Sequence, residues 1–167
     1  KIIFCIFGAY KRIIIMKKVL ILLFMGSFLI ADDKSDIEEV IHDHWLFWNA
    51  NNFKDYISTV HSKGTMNGDS NGSFWYSVEE LSVKELNDRR KSGDKSNFTA
   101  RYIDIDILVP GKAAVAYYYL VGSFTMGGVT KNDYRTRVSQ VFVTENKEWK
   151  IKGGHFSPLH GGSGILD

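Results

Sequence analysis

Cysteine is almost missing from this chain: 167 residues hold one, Cys5. It falls in a stretch that reads as leader rather than as fold. Met16-Lys17-Lys18 opens a positive segment, an apolar run follows from Val19 to Ile30, and Ala31 offers a small residue for cleavage. That order is the pattern of a secretory signal peptide. Residues 1–15 therefore read as an upstream extension, 16–31 as signal peptide and 32–167 as a single domain. The expected location is secreted or periplasmic. Without the leader, the domain has no disulfide, no thiol nucleophile and no Cys-ligated metal. No cysteine stands near Ala31 to carry a lipid anchor.

Long hydrophobic runs are also scarce. Val19 to Ile30 falls well short of the ~20 residues that span a bilayer, so no stable membrane insertion is expected once the leader is cleaved. A positive surplus is missing too. Residues 1–31 contain five Lys/Arg and no acid, which leaves the domain with 16 Lys/Arg against 19 Asp/Glu, a net of −3. Bulk charge then offers no argument for nucleic acid as a partner. There is no Gly-rich phosphate cradle, nucleophile elbow or Ser-His-Asp spacing. His42 and His44 stand two apart on a predicted helix and point away from each other. With the other histidines scattered, no metal site and no cofactor are expected.

What remains is an ordinary globular balance, 44% hydrophobic and 24% charged, with 14% aromatic residues available to wall a cavity. Ser35-Asp36-Ile37-Glu38 reads as a capping box. Ile37, Val40, Ile41, His44, Trp45 and Trp48 follow at the spacing of one buried helical face. Asn49 to Asn52 breaks that helix, and a second runs from Phe53 to about Val60, burying Phe53, Tyr56, Ile57 and Val60. Gly64 to Gly72 reads as loop, with a short strand at Thr65-Met66. Ser77-Val78-Glu79-Glu80 is another capping box, opening a third helix to Arg89 or Arg90. From Phe98 the period becomes two. Ile103, Ile105, Ile107 and Val109 mark one strand, Ala113 to Phe124 a second, Tyr134 to Thr144 a third and Trp149 to Phe156 a fourth. Three helices followed by an antiparallel meander predict an α+β fold: a cone-shaped, strongly curved antiparallel sheet packed on N-terminal helices, with a pocket inside.

The stretch from about Asp36 to Leu159 resembles the nuclear transport factor 2-like superfamily, in particular its SnoaL-like and ketosteroid-isomerase-like branches. The resemblance is carried by Trp45-Leu46-Phe47-Trp48-Asn49-Ala50-Asn51-Asn52-Phe53-Lys54-Asp55-Tyr56 and by Glu148-Trp149-Lys150-Ile151-Lys152-Gly153-Gly154-His155-Phe156-Ser157-Pro158-Leu159. The closing segment is also similar to the association domain of calcium/calmodulin-dependent kinase II. The resemblance implies a cystatin-like α+β barrel, a homodimer and a small-molecule ligand. The isomerase's oxyanion tyrosine falls at His44 and its general base near Gly68, one place from Asp69. Its second aspartate falls in the Ser139 to Val141 region, where no acid occurs. Steroid isomerisation is accordingly not expected.

Candidate acid or base groups are His44, His155 and Asp69. His44 reads either as a core histidine or as a pocket donor or base. His155 shares strand parity with Trp149 and Ile151 and points inward, unless Gly153-Gly154 make a bulge that reverses it. Candidate ligand-binding residues are Trp45, Trp48, Tyr56, Trp75, Tyr118, Arg135 and Arg137. The two arginines share a face: a solvated sheet face, a dimer interface salt-bridged to Asp104 or Asp106, or a clamp on a carboxylate in the cavity. Trp75 and Tyr76 read as a lid over the pocket or a staple for the third helix. The leading expectation is a secreted domain that binds a small apolar or carboxylate-bearing molecule. A cofactor-independent acid/base enzyme and an oligomerisation module are the alternatives.

Overall fold

A computed structural model describes residues 33–69, 74–78 and 82–159. The expected leader, residues 70–73 at the end of the expected Gly64–Gly72 loop, and Glu79 and Glu80 of the expected capping box lie outside the described residues. Helix α1 covers residues 33–49 and turns Ile37, Ile41, His44 and Trp45 inward, as its spacing predicts. Its first described residue, Asp33, accepts a hydrogen bond from the Gly111 amide at 2.8 Å, tying this end of the helix to a hairpin turn of the sheet.

Helix α2 is Phe53–Ser58, capped by the Asn52 side chain, and α3 is Val83–Arg89. Two short strands lie between them, β1 at Thr65–Gly68 and β2 at Tyr76–Val78. The capping box that opens α3 is Ser82-Val83-Lys84-Glu85, five residues later than expected. The reason is pairing: Tyr76, Ser77 and Val78 lie opposite Asn67, Met66 and Thr65 in a ladder, so that backbone is committed to the sheet. Strands β3 (Lys95–Val109), β4 (Ala113–Met126), β5 (Val129–Glu145) and β6 (Glu148–Pro158) form the expected meander.

The sheet order is β2-β1-β6-β5-β4-β3, open at both edges. It is mixed rather than purely antiparallel, because β1 runs parallel to β6. Only glycine permits that approach at position 153, where an added Cβ would lie 2.6 Å from the Met66 carbonyl oxygen. Bulges bend the long strands and exchange their faces. On β3, residues 102 and 103 together oppose Tyr118, so Phe98 and Ala100 face inward before the bulge and Ile103 and Ile105 after it. On β6, Lys152 is the extra residue between Ile151 and Gly153.

The core lies between α1 and the inner sheet face, where Ile37, Ile41, Leu120 and Phe142 are fully covered. One polar chain crosses it. The Trp45 indole donates to the Tyr118 hydroxyl at 3.0 Å, and that hydroxyl donates to the Gln140 side-chain oxygen at 2.8 Å. No helix among the described residues is long and apolar enough to cross a membrane.

The end of α1 is pinned separately. The Asn49 amide donates to the Phe98 carbonyl at 2.8 Å and accepts from the Phe98 amide at 2.9 Å, so a side chain stands in for a neighbouring strand along edge strand β3. Asn49→Ala is expected to lower unfolding free energy by roughly 1–3 kcal/mol, because it orphans both Phe98 backbone groups. Urea denaturation followed by tryptophan fluorescence checks this.

Candidate functional site

Where α1, α2, α3 and the β1–β6 side of the sheet converge, a cavity of about 230 Å³ remains. Trp45, Trp48, Val60, Leu86, Ile151 and Phe156 give it apolar walls, while His44, Tyr56, Asn67, Tyr76, Arg89 and Gln140 supply polar groups. Gln140 has room to enter because β6 presents Gly154 opposite it, where a Cβ would stand 3.2 Å from the Gln140 Cγ.

His44 is 5% exposed, held between the rings of Trp45 and Tyr56 at centroid distances of 5.0 and 4.5 Å. Its Nδ1 lies 2.7 Å from the hydroxyl of Thr59. That hydroxyl spends its own proton on the Tyr56 carbonyl, also at 2.7 Å. With that proton on Tyr56 the hydroxyl accepts from His44, which places the imidazole proton on Nδ1 and leaves Nε2 as an acceptor without a partner among the described residues. Burial pushes the His44 pKa down to about 3, so the ring is neutral at physiological pH. Burial likewise raises the Tyr56 pKa to about 12, against the opposing pull of Arg90. Arg90 itself lies over the Trp48 ring, 4.7 Å from its centroid.

The cavity gathers His44, Trp45, Trp48 and Tyr56 from the sequence-predicted set, with Tyr118 behind them bonded to Trp45 and Gln140. Asp69 touches this wall indirectly, accepting from the Tyr76 hydroxyl at 2.7 Å. His155 does not join His44. The Lys152 bulge turns it to the outer face, where Trp75 stacks on it at 5.4 Å instead of lying over the pocket. The bulge falls one residue before the glycines suspected of it.

Arg135 and Arg137 also lie outside, flanking the fully covered Thr136. Arg135 pairs with Asp133 at 2.7 Å, not with Asp104 or Asp106, and Arg137 donates to the Ser157 hydroxyl at 3.2 Å. Sequence reasoning missed Gln140 and Thr59. Gln140 had a signal, since it shares parity with the inward Val138 and Phe142. Thr59 had none, because its contact with His44 exists only after α2 folds back along α1.

A larger depression of about 530 Å³ lies along α1, rimmed by Asp36, Glu39, Asp43, Asp55 and Glu148. It is dominated by charge and holds neither the buried histidine nor the aromatic wall, so the smaller cavity is the better candidate. Among the described residues, no group of three or more His, Cys, Asp or Glu is arranged to hold a metal.

No protein-family model matches the chain, and no curated protein matches it. Solved structures do. An NTF2-like protein from Cytophaga hutchinsonii aligns over 75% of this chain and 98% of its own at 12% identity, with a TM-score of 0.62. A proposed scytalone dehydratase from Novosphingobium aromaticivorans aligns over 80% and 89% at 12% identity, TM-score 0.64. The CaMKII hub homology domain of Chlamydomonas reinhardtii aligns over 77% and 99% at 13% identity, TM-score 0.59. The fold is thus the NTF2-like α+β fold that the sequence resemblance implies.

The depressed His44 pKa has a measurable consequence. The unfolded chain takes up this proton near pH 6.5 and the folded chain only near 3, so the unfolded state binds more protons between those values. Stability from this group is complete above pH 6.5 and falls as pH drops toward 3, by about 2 kcal/mol at pH 5. His44→Gln is expected to remove that part of the pH slope, read from urea denaturation at pH 7 and pH 5.

Proposed function

We propose that this chain is a secreted or periplasmic domain that binds a small, neutral, largely apolar molecule in the cavity beside α1. The observation that carries the reading is the buried, neutral His44 in an aromatic pocket, with Nδ1 engaged by Thr59 and Nε2 left for a guest. At about 230 Å³ the cavity lies below the ~300–1,000 Å³ of drug-sized sites, so the guest belongs to a smaller class. The arginines expected to clamp a carboxylate lie on the outer face, and the arginine at the cavity wall, Arg89, is solvent-exposed at the end of α3, which favours the neutral ligand over the anionic one.

Catalysis is the weaker reading of this pocket. General-base chemistry works best with a pKa near the operating pH. An imidazole held near 3 carries its proton in roughly one molecule in 10⁴ at pH 7. The secretion half of the proposal rests on the leader pattern at 16–31. The test is native mass spectrometry of the protein from residue 32 onward, purified from its own host. A co-purifying small molecule is expected in the wild type and absent from Val78→Trp, which fills the cavity from β2. A ligand-free wild type that also ignores small aromatic probes would overturn the reading.

A second reading has its own observation. On the outer sheet face Tyr102, Tyr117 and Tyr119 are exposed at 86%, 49% and 41% around a depression of about 250 Å³ that Arg137 also lines. Aromatic and arginine side chains are enriched at protein interfaces. One structural neighbour is by name a hub homology domain. We propose that this face pairs two copies in a homodimer. Light scattering is expected to report a dimer that Tyr119→Glu with Arg137→Glu converts to monomer while the cavity ligand is retained.

A further inference from the structure

Two of the polar groups at the cavity wall, the most deeply covered ones, have opposite hydrogen-bonding characters. His44 presents an acceptor when Thr59 Oγ1 gives its proton to the Tyr56 carbonyl, which also accepts from the Thr59 amide at 3.1 Å, and takes the proton on His44 Nδ1. Gln140 presents a donor. Trp45 Nε1 is donor-only, so the Tyr118 hydroxyl accepts from it and gives its own proton to Gln140 Oε1. The Gln140 oxygen is thereby engaged, and its NH₂ remains. Both residues are almost fully covered, 5% and 2% exposed, yet both line the same small cavity. Reversing the Gln140 choice would leave the Tyr118 hydroxyl proton unpaired in the interior, which costs more than one ordinary hydrogen bond contributes.

We infer that the ligand presents an N–H donor and a carbonyl acceptor together, as a carboxamide, lactam or imide does, with the N–H on His44 Nε2 and the carbonyl oxygen on the Gln140 amide. This rests on the small-molecule reading above and narrows it to a chemical class. A carboxylate, which only accepts, meets the bare Nε2 of His44 without a proton to share. A simple ketone satisfies Gln140 and leaves Nε2 dry and unpaired. Thr59 acts as a positioning residue: it touches no ligand, but it sets which imidazole nitrogen carries the proton.

The probes are benzamide, acetophenone and benzoate, which have the same number of heavy atoms and differ in the group beside one carbonyl. Binding is followed by chemical-shift titration of the indole N–H signals of Trp45 and Trp48 together with the cavity amides. Benzamide is expected to bind about tenfold more tightly than acetophenone or benzoate. Thr59→Val frees Nδ1 and lets the proton move to Nε2, so the preference for benzamide over acetophenone is expected to vanish. Gln140→Leu is expected to weaken benzamide and acetophenone by a similar factor and to keep their ratio. Near-UV circular dichroism checks that each variant keeps its packing, and the wild-type ranking tests the assignment without any variant. Equal binding of benzamide and acetophenone in the wild type would overturn the donor–acceptor assignment and leave the binding reading intact. No cavity shifts with any of the three would overturn both.

Discussion

The indole N–H of Trp45 has to be given to something when α1 packs its apolar face against the sheet, and the Tyr118 hydroxyl is what receives it. An unpaired donor in that interior would cost about as much as several surface interactions together contribute. The requirement then propagates. Tyr118 passes its own proton to Gln140, so a residue on α1, one on β4 and one on β5 are held in one register. Asn49 does the same at the end of α1 by pairing with both backbone groups of Phe98. Ile37 and Ile41 add area without direction, and the polar contacts decide where along the sheet that area is buried.

The cavity is what this docking leaves unfilled. With α1 held by Trp45 and Asn49, His44 stands one residue from the relay and beside α2, where Thr59 meets it. Thr59 is itself fixed to β6, since the Ile151 amide donates to its carbonyl at 2.9 Å. The imidazole is buried, neutral and oriented before any guest arrives, so binding need not order it. The cavity and the outer aromatic face share β5 but occupy opposite sides of the sheet. A ligand on one side and a second copy on the other therefore do not compete for space.

Much of this was legible in the sequence. The 3.6-residue spacing from Ile37 to Trp48 located α1 and its buried face. The change to a period of two located the four long strands. His44, Trp45, Trp48 and Tyr56 were legible as a cluster because one amphipathic face and the helix that follows it carry all four. The third helix was misplaced because two Ser-x-x-Glu patterns stand five residues apart and local capping chemistry does not choose between them. Pairing with β1 chose, a long-range event that leaves no local mark. His155 was drawn inward because strand parity was counted through Lys152, and one extra residue reverses every side chain beyond it.

By itself the sequence determined the composition of the layers: which helical face is apolar, which segments alternate, and that residues 32–167 carry no cysteine. These follow from periodicity and residue type, which act over a few neighbouring positions. Tertiary structure alone decided that one histidine faces the cavity rather than two, that both candidate arginines lie outside, and which nitrogen of His44 holds its proton. Each of those outcomes turns on where a buried donor finds its acceptor or where a strand takes up an extra residue. Such choices are made between segments far apart in the chain, after the backbone has closed.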